Sequence, residues 1–363
     1  MRNVLRGCAA KAAVLGSAIA MLAACGGTAA PAPSAAASAS AKPQSTLKLN
    51  LGLASKPAPA LPNSVLWLAK DLGYYEREGL DVTLQELDGT PTVIAAMVAG
   101  QVDVGNISTD QALKLTAQKS VDMRALHSPD ARQYFLVAAR DSIASPADLK
   151  GKTFGVARVG SLDDTMTRVV LTNKGVNPNE LTYAGIGAPD VRAQALVGGR
   201  IDATTMSIST WAPISKQAGV KVLVDADDYF NAAPIVLKID AATTSVIKQK
   251  PEELRSFTAA ILKASRDFAK NENTWVDAMG KRRTDLSKAD LESLWPQFKE
   301  SWAVNGLINL DSYQKTADYL YGTDDFKDVP KIGLNDWTDT SFVDGVLRQI
   351  GVDNSMDPPG RNI

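Results

Sequence analysis

The chain has 363 residues, of which 45% are hydrophobic and 22% are charged, and its net charge at pH 7 is −1. This near-neutral balance without a basic stripe excludes a nucleic-acid-binding protein. A single histidine excludes a metal site built from several histidines, and two cysteines exclude a disulfide-rich scaffold.

The N-terminus has the layout of a secretory signal peptide. Arg2, Arg6 and Lys11 precede an apolar run over residues 12–22 that is too short to span a bilayer. The run ends in a Leu-Ala-Ala-Cys tetrapeptide that resembles the bacterial lipobox. We therefore expect a signal peptide over residues 1–24 and a lipid anchor, with palmitate among its acyl chains, on Cys25.

The next segment is composed mostly of Ala, Pro and Ser, with little to bury. We expect residues 25–46 to form a flexible tether that reaches about 25 Å by random-coil scaling. The body that follows, roughly 320 residues, is long enough for two domains with their own cores.

The first part of the body alternates strands with helices, which predicts a parallel sheet with helices on both faces. Apolar residues at period two mark the strands, and helical spacing marks the helices. The predicted order is strand Leu47–Leu53, helix Val65–Glu78, strand Leu80–Leu87, a helix capped by Thr90 and closed by Gly100, strand Val102–Gly105, helix Asp110–Gln118 and strand Met123–Leu126.

A second α/β series follows an apolar run at Tyr134–Ala139, and a third, helical part follows another run at Pro234–Ile239. Ser161 and Asp164 resemble a capping box at the start of one helix. The predicted elements are strand Thr153–Ala157, helix Leu162–Asn173, helix Trp211–Gln217, strand Val220–Val224 and helices Pro251–Lys270, Asp290–Trp302 and Asp311–Tyr321.

One stretch occurs twice. Residues 96–104 recur as residues 195–203, and each copy follows a Gly-x-Pro opening. Each copy predicts a helix that ends at a glycine and leads into a very short strand containing Asp103 or Asp202. We expect these carboxylates to accept hydrogen bonds from N–H groups of the turns. The duplication indicates two similar α/β lobes with a cleft between them.

Three segments together resemble the substrate-binding lipoproteins of ABC importers. These are the run Ser145–Val156, the stretch Leu72–Val82 and both Gly-[Gln/Arg]-[Val/Ile]-Asp turns. The chain is similar to the branch that carries nitrate, sulfonates, taurine and thiamine or riboflavin precursors. The resemblance implies a type 2 periplasmic-binding-protein fold, with two Rossmann-like lobes joined by two crossing strands at 134–139 and 234–239. Lobe I would comprise residues 47–133 and 236–350, and lobe II residues 134–235.

The resemblance also implies a function. The protein would capture a small organic solute between its lobes and deliver it to an ABC permease. It would be an extracytoplasmic, membrane-anchored monomer that needs no cofactor and catalyses no reaction. A tethered sensor that presents the solute to a receptor is an alternative that the sequence leaves open.

In such a fold, ligands bind at the carboxyl ends of the strands, where helix N-termini present free N–H groups. Thr90, Ser161 and Asp190 are equally explained as plain helix caps. The residues that these loops hold are Ser55, Asn63, Asp88, Thr90, Asn106, Ser108, Thr109, His127, Arg158, Gly160, Ser161, Asp190, Ser207 and Trp211.

The charged residues of these loops favour two different classes of ligand. Arg158 and His127 suit an anion such as a sulfonate or nitrate. Asp88, Asp110 and Asp190 favour an amine, an aminopyrimidine or hydroxyl donors instead. The balance weakly favours a small organic solute over a bare oxyanion.

An enzyme is the rival class of function. A Ser-His-Asp triad would have to use His127, and the pyrimidine synthase in the resembling branch depends on a cysteine-rich segment that this chain lacks. No nucleotide-binding or nucleophile-elbow motif is present in the sequence. The acidic stretch Asp225–Asp228 breaks the pattern of a calcium loop at Tyr229 and is better explained as a surface turn.

Overall fold

The computed structural model describes residues 46–306 and 310–355. The expected signal peptide, the expected lipidation site Cys25 and almost all of the tether lie outside these residues. Within the described part, no helix is both long and apolar enough to cross a membrane. The described residues belong to one compact unit.

Two five-stranded sheets organise the described chain. In each sheet four strands are parallel, and the fifth is antiparallel to its neighbours. The first sheet has the order β2 (Leu80–Glu86), β1 (Leu47–Leu53), β3 (Val104–Ser108), β10 (Lys238–Thr243) and β4 (Met123–His127). The second has the order β7 (Thr182–Gly185), β6 (Thr153–Val156), β8 (Ala203–Ser207), β5 (Phe135–Arg140) and β9 (Val220–Val224).

The two sheets share one topology, which confirms the duplication seen in the sequence. In each sheet the antiparallel strand is the one through which the chain enters from the other sheet. Of the four parallel strands, counted in chain order, the second lies at one edge, the first lies next to it and the third is in the centre. The mixed α/β architecture with two sheets is therefore as predicted.

Both crossing strands begin later than the apolar runs suggest. β5 starts one residue after the predicted Tyr134, and β10 starts at Lys238 rather than at Pro234. Residues 234–237 form an irregular link, in which the N–H of Val236 bonds to the hydroxyl of Thr316 and the carbonyl of Leu237 accepts the N–H of Thr109. The second prediction was thus wrong by four positions, because these partners lie far away in sequence.

The helices next to the first sheet differ from the prediction at two places. The predicted helix Val65–Glu78 is two helices, α1 (Val65–Asp71) and α2 (Tyr74–Arg77), because Gly73 adopts the left-handed conformation with φ 73°. The next two are α3 (Gly89–Val98) and α4 (Thr109–Ala117). Thr90 lies inside α3 and does not cap it, as α3 begins at Gly89.

The helices of the second sheet are α5 (Leu162–Asn173), α6 (Pro189–Val197), α7 (Ile208–Trp211) and α8 (Ala226–Ala232). The predicted helix Trp211–Gln217 is wrong, since Trp211 ends α7 and a single 3-10 turn, Ala212–Ile214, follows it. The acidic stretch at Asp225 starts α8, where the Asp225 side chain accepts the N–H of Asp228.

The C-terminal part is helical, as predicted, and packs mainly on the first sheet and its helices. Its helices are α9 (Thr244–Gln249), α10 (Pro251–Lys270), α11 (Glu272–Arg282), α12 (Lys288–Phe298), α13 (Leu310–Tyr321) and α14 (Ser341–Ile350). Sequence periodicity did not identify α9, α11, α14 or strand β7, and it extended α12 too far, to Trp302. Trp302 instead forms an isolated bridge with Asp130.

The two repeat aspartates have a structural role that differs in detail from the expectation. Asp103 and Asp202 precede β3 and β8 rather than lying within them. Each bonds to the neighbouring strand: the N–H of Asn50 donates to Asp103 at 2.8 Å, and that of Thr153 donates to Asp202 at 2.9 Å. In return, the N–H of Asp103 donates to the carbonyl of Asn50, and the N–H of Asp202 donates to the carbonyl of Thr153. The repeated carboxylate thus fixes the register of the central strand.

Asp202→Ala should lower the free energy of unfolding by about 1–2 kcal/mol, because the N–H of Thr153 loses its acceptor in a half-buried position. Asp202→Asn keeps an acceptor oxygen and should retain most of the stability. Chemical denaturation of the three proteins measures this. Equal stability of the alanine variant and the parent would contradict the assignment.

Candidate functional site

A cluster of polar side chains lies at the carboxyl edge of the first sheet. Because β10 runs antiparallel to β3 and β4, its first residue, Lys238, lies at the edge where those strands end. Lys238 is paired in register with Ser108, the last residue of β3. Its ammonium group lies 3.5 Å from the hydroxyl of Thr90 in the first turn of α3.

The negative charges of three carboxylates act on Lys238. Burial lowers the pKa of Lys238 to about 8, although the negative charges of Asp110, Asp130 and Asp240 act to raise it. Asp110 is in the first turn of α4, and Asp130 is in the segment that leads from β4 to the second sheet. Three acidic side chains on different segments thus influence the same cation.

Asp110 and Asp130 are both buried, with 8% and 7% of their surface exposed. One oxygen of Asp110 accepts a hydrogen bond from the side chain of Gln111. The other oxygen of Asp110, and Oδ1 of Asp130, have no hydrogen-bond partner within the described residues. Burial, followed by the charge of Asp240, raises the pKa of Asp130 to about 7.

A row of buried polar side chains supports this cluster from two residue pairs deeper in the sheet. Asp240 lies between Asn106 on β3 and His127 on β4. Asn106 donates to Asp240 at 2.9 Å, and Nδ1 of His127 lies 3.0 Å from the other Asp240 oxygen. Asn63 donates to Asn106 at 3.2 Å, and the His127 ring stacks on Phe257. The row fixes Asp240 beneath Lys238.

The N-terminus of α4 borders the cluster. The N–H of Ser108 donates to the hydroxyl of Thr90 at 3.1 Å, which explains why Thr90 is buried rather than capping α3. Thr109 is fully buried, and its hydroxyl has no partner in the described part of the chain. The cluster therefore contains both unpaired acceptors and an unpaired hydroxyl.

The carboxyl edge of the second sheet has a different character. The predicted capping box at Ser161 is wrong in detail, because Asp164 accepts the N–H of Gly160 at 2.8 Å rather than that of Ser161. Asp163 accepts the N–H of Ala157 at 3.0 Å. Two carboxylates thus face the positive end of α5. Arg192 pairs with Asp163, and Arg168 pairs with Asp164 at 2.8 Å.

The hydroxyl groups at the start of α7, next to the second sheet, interact with one another. Ser207 accepts the N–H of Thr210 at 3.2 Å, and its hydroxyl lies 3.0 Å from those of Ser209 and Thr210. Trp211 lines a separate pocket of about 330 Å³ between this sheet and α12, together with residues such as Leu136.

The structure thus divides the predicted site residues into groups. Thr90, Ser108 and Thr109 adjoin Lys238, while Asn63, Asn106 and His127 form the supporting row. Ser207 and Ser161 are half-buried at the second sheet, and Ser55 is half-buried after β1. Asp88, Arg158, Gly160 and Asp190 are exposed, and Trp211 faces its own pocket.

Comparison with known proteins places the chain in a family. Residues 63–274, more than half of the chain, match the family model described as NMT1/THI5 like. The chain belongs to the NMT1/THI5-like family. It is 23% identical over 251 residues to the taurine-binding periplasmic protein of Escherichia coli (strain K12), an alignment that covers 68% of this chain and 75% of the relative.

Solved structures give the fold of this NMT1/THI5-like protein. The periplasmic aliphatic sulphonate-binding protein SsuA from Escherichia coli superposes with a TM-score of 0.65 at 15% identity, covering 81% of this chain and 92% of that one. The periplasmic nitrate-binding protein NrtA from Synechocystis PCC 6803 also gives 0.65, at 13% identity, covering 87% and 92%. The chain therefore has the periplasmic-binding-protein fold, and these homologues are binding proteins rather than enzymes.

Sequence analysis missed Lys238, Asp130 and Asp240 as candidate site residues of this NMT1/THI5-like chain. The signal for two of them was a lysine and an aspartate in or next to the apolar run Pro234–Ile239, since a charged residue in a buried strand needs a partner. Among the described residues, no group of three or more His, Cys, Asp or Glu side chains could hold a metal ion.

The raised pKa of Asp130 has a consequence for stability. The folded state holds the Asp130 proton up to a pH of about 7, whereas the ordinary pKa of an aspartate side chain is 3.8. The stabilising effect of this proton is complete below about pH 4 and is lost as the pH rises through 7. Asp130→Asn should therefore raise the melting temperature by a few degrees at pH 8 and by less at pH 5.

Melting curves at the two pH values check this, with Asp190→Asn as the control because Asp190 is exposed. A variant that destabilises the protein equally at both pH values would show that Asp130 is paired in the folded state.

Proposed function

We propose that this protein is the solute-binding component of an ABC importer. It captures a small organic solute at the polar cluster around Lys238 and delivers it to a permease in the membrane. The observation that carries the proposal is the buried, incompletely paired cluster at the carboxyl edge of the first sheet. Membership of the NMT1/THI5-like family supports it, as do the similarity to a taurine-binding periplasmic protein and the fold shared with sulphonate-binding and nitrate-binding proteins.

The physical argument starts from the cost of burial. A buried polar atom without a hydrogen-bond partner costs about 1–3 kcal/mol. Oxygens of Asp110 and Asp130 and the hydroxyl of Thr109 are such atoms in the described residues. Because all three lie near one lysine at one sheet edge, a solute with complementary groups would satisfy them together.

The chain path supports capture between two moving lobes. The chain crosses between the sheets after β4 and after β9, so a lobe of residues 134–235 can rotate against a lobe of residues 47–133 and 236–350. The side chain of Leu162, at the start of α5, packs against the cores of both sheets. A solute that touches both lobes favours the closed arrangement by its extra contacts there.

The predicted anchor completes the proposal. Cys25 would carry the lipid, and the Ala/Pro/Ser-rich segment after it would hold the binding unit near the extracytoplasmic entrance of the permease. The protein would act as a monomer without catalysing a reaction, as its relatives named above are binding proteins.

Solute binding should raise the melting temperature and compact the protein. Taurine, ethanesulfonate, nitrate, aminopyrimidines, flavins and aromatic acids can be screened by thermal shift, because any compound that binds only the folded state stabilises it by mass action. A micromolar affinity corresponds to about 8 kcal/mol, part of which closes the lobes. Small-angle scattering with a confirmed compound should show a smaller radius of gyration. An unchanged radius would contradict the hinge mechanism.

Cys25→Ser should release the protein from membranes. The serine variant cannot be acylated through sulfur, so cell fractionation should recover it in the soluble fraction with an unchanged melting temperature. Retention of the variant in the membrane fraction would contradict a single anchor at Cys25.

A further inference from the structure

The two lobes share one apolar core on one side of the sheets. Side chains of β5, α7 and the turn after α7, among them Leu136, Ile208 and Ile214, belong to the same buried cluster as side chains of α1, α10 and α12. Tyr134, just before β5, packs edge to face on Phe298 at the end of α12, with 6.0 Å between the ring centres. Parting the lobes on this side would therefore expose a continuous core to water.

On the other side of the sheets each lobe has its own core. One cluster contains Ile107 of β3, and a separate cluster contains Val137 of β5. Among the described residues, two half-buried side chains pack against both clusters: Leu162 of the second lobe and Tyr319 of the first. On this side the lobes thus meet through a small contact rather than through a shared interior.

Leu162 and Tyr319 are held by opposite lobes. Leu162 is the first residue of α5, and Tyr319 is on α13, whose Ala317 and Leu320 are buried in the core of the first sheet. If the lobes moved apart on this side, each side chain would leave the core of the other lobe. Water would then reach both side chains, so the hydrophobic effect acts against opening.

The hydroxyl of Tyr319 acts in the opposite direction. It is buried, and it has no hydrogen-bond partner within the described residues. Burying an unpaired hydroxyl costs free energy, which is recovered when the contact opens and water bonds to the group. The Tyr319 ring therefore favours the closed contact while its hydroxyl opposes it, so the contact can open and close reversibly.

We propose that Leu162 and Tyr319 form an apolar latch, which holds the lobes closed on one side while the shared core on the other side is the pivot. This inference rests on the proposed function, because the latch sets the open-to-closed balance on which solute capture depends. The apparent affinity for a solute falls with the fraction of protein in the binding-competent form. The latch thus adjusts affinity without touching the solute.

Distances between spin labels test the latch without any solute. Asp88 and Asp190 are exposed and lie beyond the ends of β2 and β7, the edge strands farthest from the crossing strands in each sheet. Asp88→Cys and Asp190→Cys carry the labels in a chain with Cys8→Ser and Cys25→Ser. Double electron–electron resonance then gives the distribution of distances between the lobes, and hence the ratio of open to closed protein.

Leu162→Ala and Tyr319→Phe should shift these distances in opposite directions. Leu162→Ala removes apolar atoms from the latch and should raise the ratio of open to closed protein by about three- to tenfold. Tyr319→Phe removes the unpaired hydroxyl and should lower that ratio by a similar factor. Leu115→Ala and Tyr321→Phe are the matched controls, because these half-buried side chains pack against the core of the first sheet alone. The controls should leave the distances unchanged.

Melting curves establish that each variant is folded, and general loosening of the protein cannot produce shifts of opposite sign. Unchanged distances in Leu162→Ala and Tyr319→Phe, or shifts in the same direction, would overturn the latch, while a compound bound by the parent would leave solute capture in place. The affinity for such a compound should fall in Leu162→Ala and rise in Tyr319→Phe. Opposite shifts in a protein that binds none of the screened compounds would support the latch and count against solute capture.

Discussion

The candidate site depends on strand β10 and its antiparallel insertion between β3 and β4. This pairing brings Asp240 between Asn106 and His127, and it brings Lys238 to the edge where the parallel strands end. A parallel strand in the same place would have put its carboxyl end there instead. The strand that joins the two halves of the molecule therefore also supplies the central cation of the cluster.

The same geometry makes the cluster a compromise between stability and binding. In the supporting row Asn106 donates to one oxygen of Asp240, and the His127 ring lies against the other, so the deeper layer holds Asp240 in the sheet. Nearer the edge, burial raises the pKa of Asp130 and lowers that of Lys238, so the fold disfavours the charged form of each side chain. Uncompensated groups of this kind are typical of binding sites, where a ligand supplies the missing partner.

The fold could be predicted wherever its cause is local. Period-two and helical spacing gave β1, α5 and α10 with the observed bounds, because their apolar faces are continuous in sequence. The site was predicted only in part. Asn106, Ser108 and Thr109 follow a recognisable strand, whereas Lys238 and Asp130 become neighbours through pairing between distant segments, which no local pattern encodes. The break between α1 and α2 at Gly73 was not predicted either, because the helical spacing of apolar residues continues through it.

Related binding proteins can share a fold and still differ in ligand, because the sheets position the loops while the loop side chains set the charge. The structural neighbours named for aliphatic sulphonates and nitrate are 15% and 13% identical to this chain, so they define its architecture and not its chemistry. Here the loops place Asp110 and Asp130 at the first sheet and Asp163 and Asp164 at the second. The arginines beside the second pair are already engaged, whereas Oδ1 of Asp110 and Oδ1 of Asp130 at the first sheet have no hydrogen-bond partner within the described residues.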